Sequence, residues 1–220
     1  FVGGLVAALV PIANTGFRTE LFTSLEGSPL SILLNANLQM VTMLNLILII
    51  CGACLMYHTE YADHAIRRML TLPLRGESLF FGKALLLTLG FLFLLALESA
   101  SYAFCTMHWF EMTGDFIPEL LKNMGFAALL TLPTLLFMLL VASACQSMWV
   151  SLGIGVIFMS MGTVLPEGPF LLTLVPFVTP FRDLASAGSD WTAYAAASGA
   201  ELLLFGLIAC IFIRIRRYSL

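Results

Sequence analysis

From Leu38 to Tyr57 the chain reads LQMVTMLNLILIICGACLMY, without one charged residue. A transmembrane helix needs roughly 20 mostly apolar residues to cross a hydrocarbon core about 30 Å thick. This stretch has that length and composition, so it is read as a bilayer-spanning helix. The same pattern recurs at about Ala84 to Ala103, Met124 to Ala142, Met148 to Val164 and Thr192 to Ile213. Upstream lies a shorter apolar run, Phe1 to Ile12, too brief to cross at 1.5 Å per residue. With no initiator methionine and no basic flank, it reads as a truncated span rather than a signal peptide. The expected fold is an all-α membrane protein of six transmembrane helices, the first incomplete, in one domain over residues 1–220.

Composition agrees with that reading. Sixty per cent of the 220 residues are apolar and 10% charged, with a mean hydropathy of +0.99; a soluble domain is about a quarter charged. Six spans with short connections use up the length and leave no room for a separate catalytic domain. The net charge of −3 and the scattered basic residues exclude a nucleic-acid partner. Of the five cysteines, Cys51, Cys54 and Cys210 lie inside apolar runs and Cys105 and Cys145 near run ends, so no disulfide framework is visible. Cys51 and Cys54 form a C-x-x-C spacing but have no nearby His or acidic ligand, which makes them packing residues.

The connections differ in kind. Pro11 to Asn37, with the turn-like Gly27-Ser28-Pro29, reads as a loop. His58 to Lys83 is a polar connection, and a wet loop holds His108, Trp109, Glu111, Asp115 and Glu119. Ser143 to Ser147 is so short that the spans on either side must form an antiparallel hairpin. Phe170 to Phe181 is uncharged, yet Pro166, Pro169, Pro176 and Pro180 break the region, each removing a helix donor. Such backbone at membrane depth must be covered by protein or line a wet cavity, so the stretch reads as a re-entrant or interfacial hairpin, the alternative being an apolar surface loop.

Lysine and arginine set the orientation. If six helices alternate, Arg67, Arg68, Arg75, Lys83, Arg214, Arg216 and Arg217 share one face, and Arg18, Lys122 and Arg182 the other. The positive-inside rule makes the first face, and both chain ends, cytoplasmic. The outer face then collects Glu20, Glu26, Glu111, Asp115, Glu119, Glu167, Asp183 and Asp190 and attracts cations.

Within the long cytoplasmic connection, Ala62, Ala65 or Ile66, Met69 and Leu72 recur at helical spacing. Asp63 and Arg67 form an i,i+4 pair, and Pro73 stops the helix. A short amphipathic helix over about residues 60–72 follows, lying parallel to the membrane; the pattern alone also fits a simple interfacial anchor. Glu60 just after a span, this helix, the Leu72-Pro73-Leu74 step and Gly82-Lys83 opening the next span together resemble the membrane subunits of ABC-2 type exporters. The likeness extends to six spans, cytoplasmic ends, a tight hairpin between spans four and five, and a broken apolar segment before span six. It departs at Asp63-His64-Ala65, where many relatives carry Gly-Thr.

The resemblance implies that residues 60–72 are a coupling helix seated in a groove of an ATPase, with Glu60, Asp63, Ile66, Arg67, Met69, Leu70 and Pro73 at the contact. It implies two ABC ATPase subunits and a second permease copy or paralogue as partners. ATP and magnesium would sit on the ATPase and no cofactor on this non-catalytic chain, with the assembly in a bacterial plasma membrane. The compact size is similar to that of permeases of lantibiotic-immunity and bacitracin-type exporters, which implies a peptide or lipid-like substrate drawn from the bilayer.

No catalytic constellation competes with this. Gly76 to Ala84 imitates a P-loop but has one residue too many between its glycines and Ala84 where a hydroxyl should hold magnesium. His58 and His64 are six apart and face different sides of a helix, so with Glu60 and Asp63 they make no metal motif. Two acids lie inside spans, Glu98 in the outer half of span three and Glu201 near the middle of span six. At such depth a carboxylate costs several kcal/mol unless paired, protonated or wetted. Either acid can line a cationic substrate's path or hold helices together through Ser99, Ser101, Ser198 or threonines on neighbours. Small residues at Ser151, Gly153, Gly155, Ser160, Gly162, Ala196 and Ala200 allow close helix approach. Two rival readings stand beside the exporter: a secondary transporter that couples protons through Glu201, and a membrane scaffold that transports nothing.

Overall fold

The computed structural model describes residues 29–62, 76–109, 116–145, 147–165, 175–181 and 191–218. These form five α-helices: α1 (Pro29–Ala62), α2 (Gly76–Trp109), α3 (Phe116–Ala144), α4 (Met148–Val164) and α5 (Trp191–Tyr218), with a 3-10 turn at Thr179–Phe181 between the last two. Leu33–Thr59, Ser78–Phe104, Phe116–Ala144 and Trp191–Ile215 are each long and apolar enough to cross a bilayer. Helix α4 has 17 residues, about 26 Å of rise, just under one hydrocarbon thickness. Five expected spans thus correspond to helices, and the run Phe1 to Ile12 lies outside the described residues.

The helices exceed the spans read from the sequence, and each extension has a local cause. Helix α1 starts at Pro29, so residues 29–37 are helix and not loop. Proline suits a first helical position because its missing N–H would be unpaired there anyway. Leu30, Leu33 and Leu34 then pack against Tyr102 and Phe116 in a cluster at that end of the bundle. Helix α2 runs on to Trp109, and α3 begins at Phe116 with Glu119 in its first turn, where a carboxylate complements the helix dipole. His108, Trp109 and Glu119 are therefore helical rather than members of a wet loop. Gly82 and Lys83 do not open α2, which begins at Gly76; the P-loop look-alike is continuous helix from its first glycine. The hairpin between α3 and α4 is as tight as expected, with Cys145 to Ser147 linking the two.

Helix α3 is the hub, touching α1, α2, α4, α5 and the 3-10 turn. The main core follows 3–4 spacing along three helices: Leu46, Ile50, Cys54 and Tyr57 on α1, Phe80, Ala84, Leu87, Phe91 and Leu95 on α2, and Leu135, Met138 and Ala142 on α3. The opposite faces are just as apolar but exposed, as at Leu85, Leu89 and Phe93 on α2 and Leu203, Leu207 and Ile211 on α5. Helices apolar all round belong in lipid. Gly155 permits the α4 contact, since a Cβ there would lie 2.7 Å from Ile50 and 3.0 Å from Met138.

Residues 177–181 are buried in the bundle rather than spread on its surface, with Phe177, Val178 and Thr179 fully enclosed and Val175 and Pro176 half-buried. Within the segment, Val178 N–H and Thr179 N–H donate to the Val175 carbonyl and Phe181 N–H to the Val178 carbonyl. Thr134 Oγ1 donates to the Pro176 carbonyl, one residue beyond Pro133, where α3 itself lacks a donor. Thr179 Oγ1 reaches the Pro176 carbonyl at 3.2 Å and the Leu130 carbonyl at 3.5 Å, and Thr42 Oγ1 reaches the Pro180 carbonyl at 3.4 Å. The broken backbone of these residues is thereby covered by protein, which is what such backbone would need at membrane depth. The remainder of the expected hairpin, residues 170–174, lies outside the described residues.

Candidate functional site

Along α2, Phe91, Leu95, Glu98 and Tyr102 fall on one face at alternating steps of four, three and four. Opposite stand Thr42 and Asn45, one turn apart on α1, and Asn123, Ala127 and Thr131 on α3. Together with Pro180 they enclose a cavity of about 50 Å³ between the three helices. Asn45 Nδ2 donates to Glu98 Oε2 at 3.1 Å, and both residues are buried, 6% and 7% exposed. A carboxylate only accepts, so this bond fixes the amide and leaves Asn45 Oδ1 without a partner. Asn123 is 2% exposed, and neither atom of its amide has a protein partner.

Neither asparagine was singled out from the sequence. An uncharged amide in an apolar run is quieter than a carboxylate, although an amide in a span also demands a partner. The serines expected beside Glu98 serve their own helix instead: Ser99 Oγ donates to the Ala96 carbonyl and Ser101 Oγ to that of Leu97.

Glu201 stands apart from this cavity on α5. It is half-buried with Oε2 enclosed and unpartnered, and Ser198, one turn earlier, is fully buried with its hydroxyl likewise unpartnered. The two do not bond each other. Near the other end of α1, Cys54 Sγ meets Ser151 Oγ at 3.2 Å, which seats this cysteine as a helix-packing group. At that end Lys83 Nζ lies 3.5 Å from the centroid of the Tyr57 ring, and at the opposite end Lys122 Nζ sits 5.0 Å from that of Trp191. Both are cation–π contacts that tie helix ends in register. Of the expected coupling residues, Glu60 belongs to the last turn of α1. Asp63, Ile66, Arg67, Met69, Leu70 and Pro73 lie outside the described residues.

A family model described as ABC-2 family transporter protein matches residues 1–162, which include α1 to α3 and all but the last two residues of α4. The chain belongs to the ABC-2 family of transporter proteins, and is thus a multi-pass permease subunit of an ABC transporter, a family that works with ABC ATPase components. Comparison with curated proteins and with solved structures gave no match.

Proposed function

We propose that this permease serves an exporter that expels antimicrobial peptides, or similar amphipathic or lipid-like molecules, from the bacterial plasma membrane in self-immunity or resistance. The observation that carries the reading is the family match over residues 1–162, joined to helices whose outer faces are largely apolar. Two ATPase subunits and a second permease copy or paralogue complete the transporter, with both chain ends cytoplasmic. Closure of the ATPase dimer around ATP and magnesium pushes on residues 60–72, and the push is transmitted through α1 and α2, which flank that connection. Family membership favours this ATP-driven reading over a proton-coupled carrier.

The Glu98 cavity, at about 50 Å³, is far too small for a peptide. Glu201, half-buried on α5 with one carboxylate oxygen enclosed and unpartnered, is the better candidate for a cationic substrate's path. Reconstitution of the permease with its ABC ATPase in proteoliposomes tests the function. ATP hydrolysis should rise severalfold on adding a cationic amphipathic peptide, and an unchanged rate across such peptides would contradict the substrate class.

A further inference from the structure

The cavity between α1, α2 and α3 presents oxygen acceptors in excess of donors. The Thr42 hydroxyl proton is committed to the Pro180 carbonyl and that of Thr131 to the Ala127 carbonyl at 2.6 Å, so both oxygens keep free lone pairs. Asn45 spends a proton on Glu98 and leaves Oδ1 unpartnered. Asn123 brings a second unpartnered amide, whose oxygen can face either way because the two ends of an amide are sterically alike. Among the described residues no lysine, arginine or histidine lines the space, so none of their side chains offers an ionised Glu98 a counter-charge. A buried charge left in that state costs several kcal/mol, and unpartnered amides add to the cost.

We propose that the cavity is a binding site for one small alkali-metal cation, held by the Glu98 carboxylate with the amide oxygens of Asn45 and Asn123 and assisted by the Thr42 and Thr131 hydroxyls. One carboxylate balances one positive charge, whereas a divalent ion would keep a buried net charge and is normally held by several carboxylates and carbonyls. At about 50 Å³ the space exceeds the roughly 10–15 Å³ that one water needs, so it holds a small ion together with water. Hard oxygen donors suit alkali metals rather than transition metals. The bound ion would clamp α1, α2, α3 and the Pro180 end of the broken segment together. The assignment stands whatever substrate the transporter carries.

The test uses the full chain purified in detergent, at fixed pH and ionic strength, with choline chloride replaced stepwise by lithium, sodium or potassium chloride. The melting temperature should rise saturably with one of the alkali ions, by about 5 °C at saturation. That rise should vanish in Glu98→Gln, need at least tenfold more salt in Asn123→Leu, and persist in Glu201→Gln. Radioactive sodium should bind the wild-type chain at one ion per chain and be displaced by the preferred ion, a readout that needs no variant to fold. Melting temperatures equal in every salt, with no sodium bound, would overturn the site and leave a proton as what neutralises Glu98. Retention of the shift in Glu98→Gln would overturn it as well.

Discussion

Among the described residues Asn45 is the one side chain that donates to Glu98, so its removal tests how far a buried carboxyl leans on one amide. Asn45→Leu strands the carboxyl and should cost roughly 1–3 kcal/mol, whereas Asn45→Leu with Glu98→Leu removes both polar partners and should recover much of that loss. Thermal unfolding in detergent, run as a double-mutant cycle, measures the difference, and equal losses in the single and double variants would deny the coupling. Gly162 makes a sharper case. A Cβ there would overlap the Phe177 carbonyl oxygen and come within 2.9 Å of the Phe181 ring, while one at Gly153 meets nothing within 4 Å. Gly162→Ala should therefore lower the melting temperature and Gly153→Ala leave it unchanged. At this scale the sequence was partly readable. Glu98 and Glu201 stand out because a charge in an apolar run is conspicuous, and so do the small residues of α4. Which of those small residues meets backbone, and which amides face Glu98, depends on partners distant in the chain, Phe177 for Gly162 and Asn45, 53 positions away, for Glu98, which no local pattern records.

Four phenylalanines bind the elements around the broken segment. Phe137 on α3 meets the rings of Phe158 on α4, Phe177 in the segment and Phe205 on α5 edge-on, at 5.3, 6.0 and 5.5 Å. Phe158 also stacks on Phe177 at 5.6 Å. Phe177 is fully buried, and Phe177→Ala should cost roughly 3–5 kcal/mol. Thr134→Val removes the hydroxyl that serves the Pro176 carbonyl and should cost about 1 kcal/mol, read from the same unfolding curves. Burial of the segment has a separate signature: a cysteine placed at Thr179 should resist a membrane-impermeant maleimide, and rapid labelling would place the segment at the surface instead. The prolines made this stretch recognisable as broken apolar backbone. Its partners on α3 were not foreseen, because Pro133 sits inside an otherwise regular span and its role emerges only beside Thr134 and Thr179. Element ends were misjudged for a related reason. Hydrocarbon thickness predicts about 20 residues, while Pro29, Glu119 and the cluster of Leu30, Leu33, Leu34, Tyr102 and Phe116 carry helix beyond it. Helix α4 matches its predicted bounds because a tight turn and Pro166 delimit it on both sides.

Across the molecule, α3 joins every other described element, so movement imposed on one helix pair has a packed route to the rest. The membrane class was legible from composition and the family from a handful of residues around Glu60 to Lys83, and the match over residues 1–162 established it. The expected partner surface is the part left unread, because all of its residues but Glu60 lie outside the described residues. On the proposed function, this permease takes its energy from an ABC ATPase through the connection between α1 and α2. Affinity purification of the chain co-expressed with its ATPase, from membranes containing equal amounts of wild type and Ile66→Asp, tests it most directly. ATPase should co-purify with the wild type and be lost, or reduced at least tenfold, with Ile66→Asp; no ATPase with the wild type, or equal recovery with both, would rule out coupling through this connection.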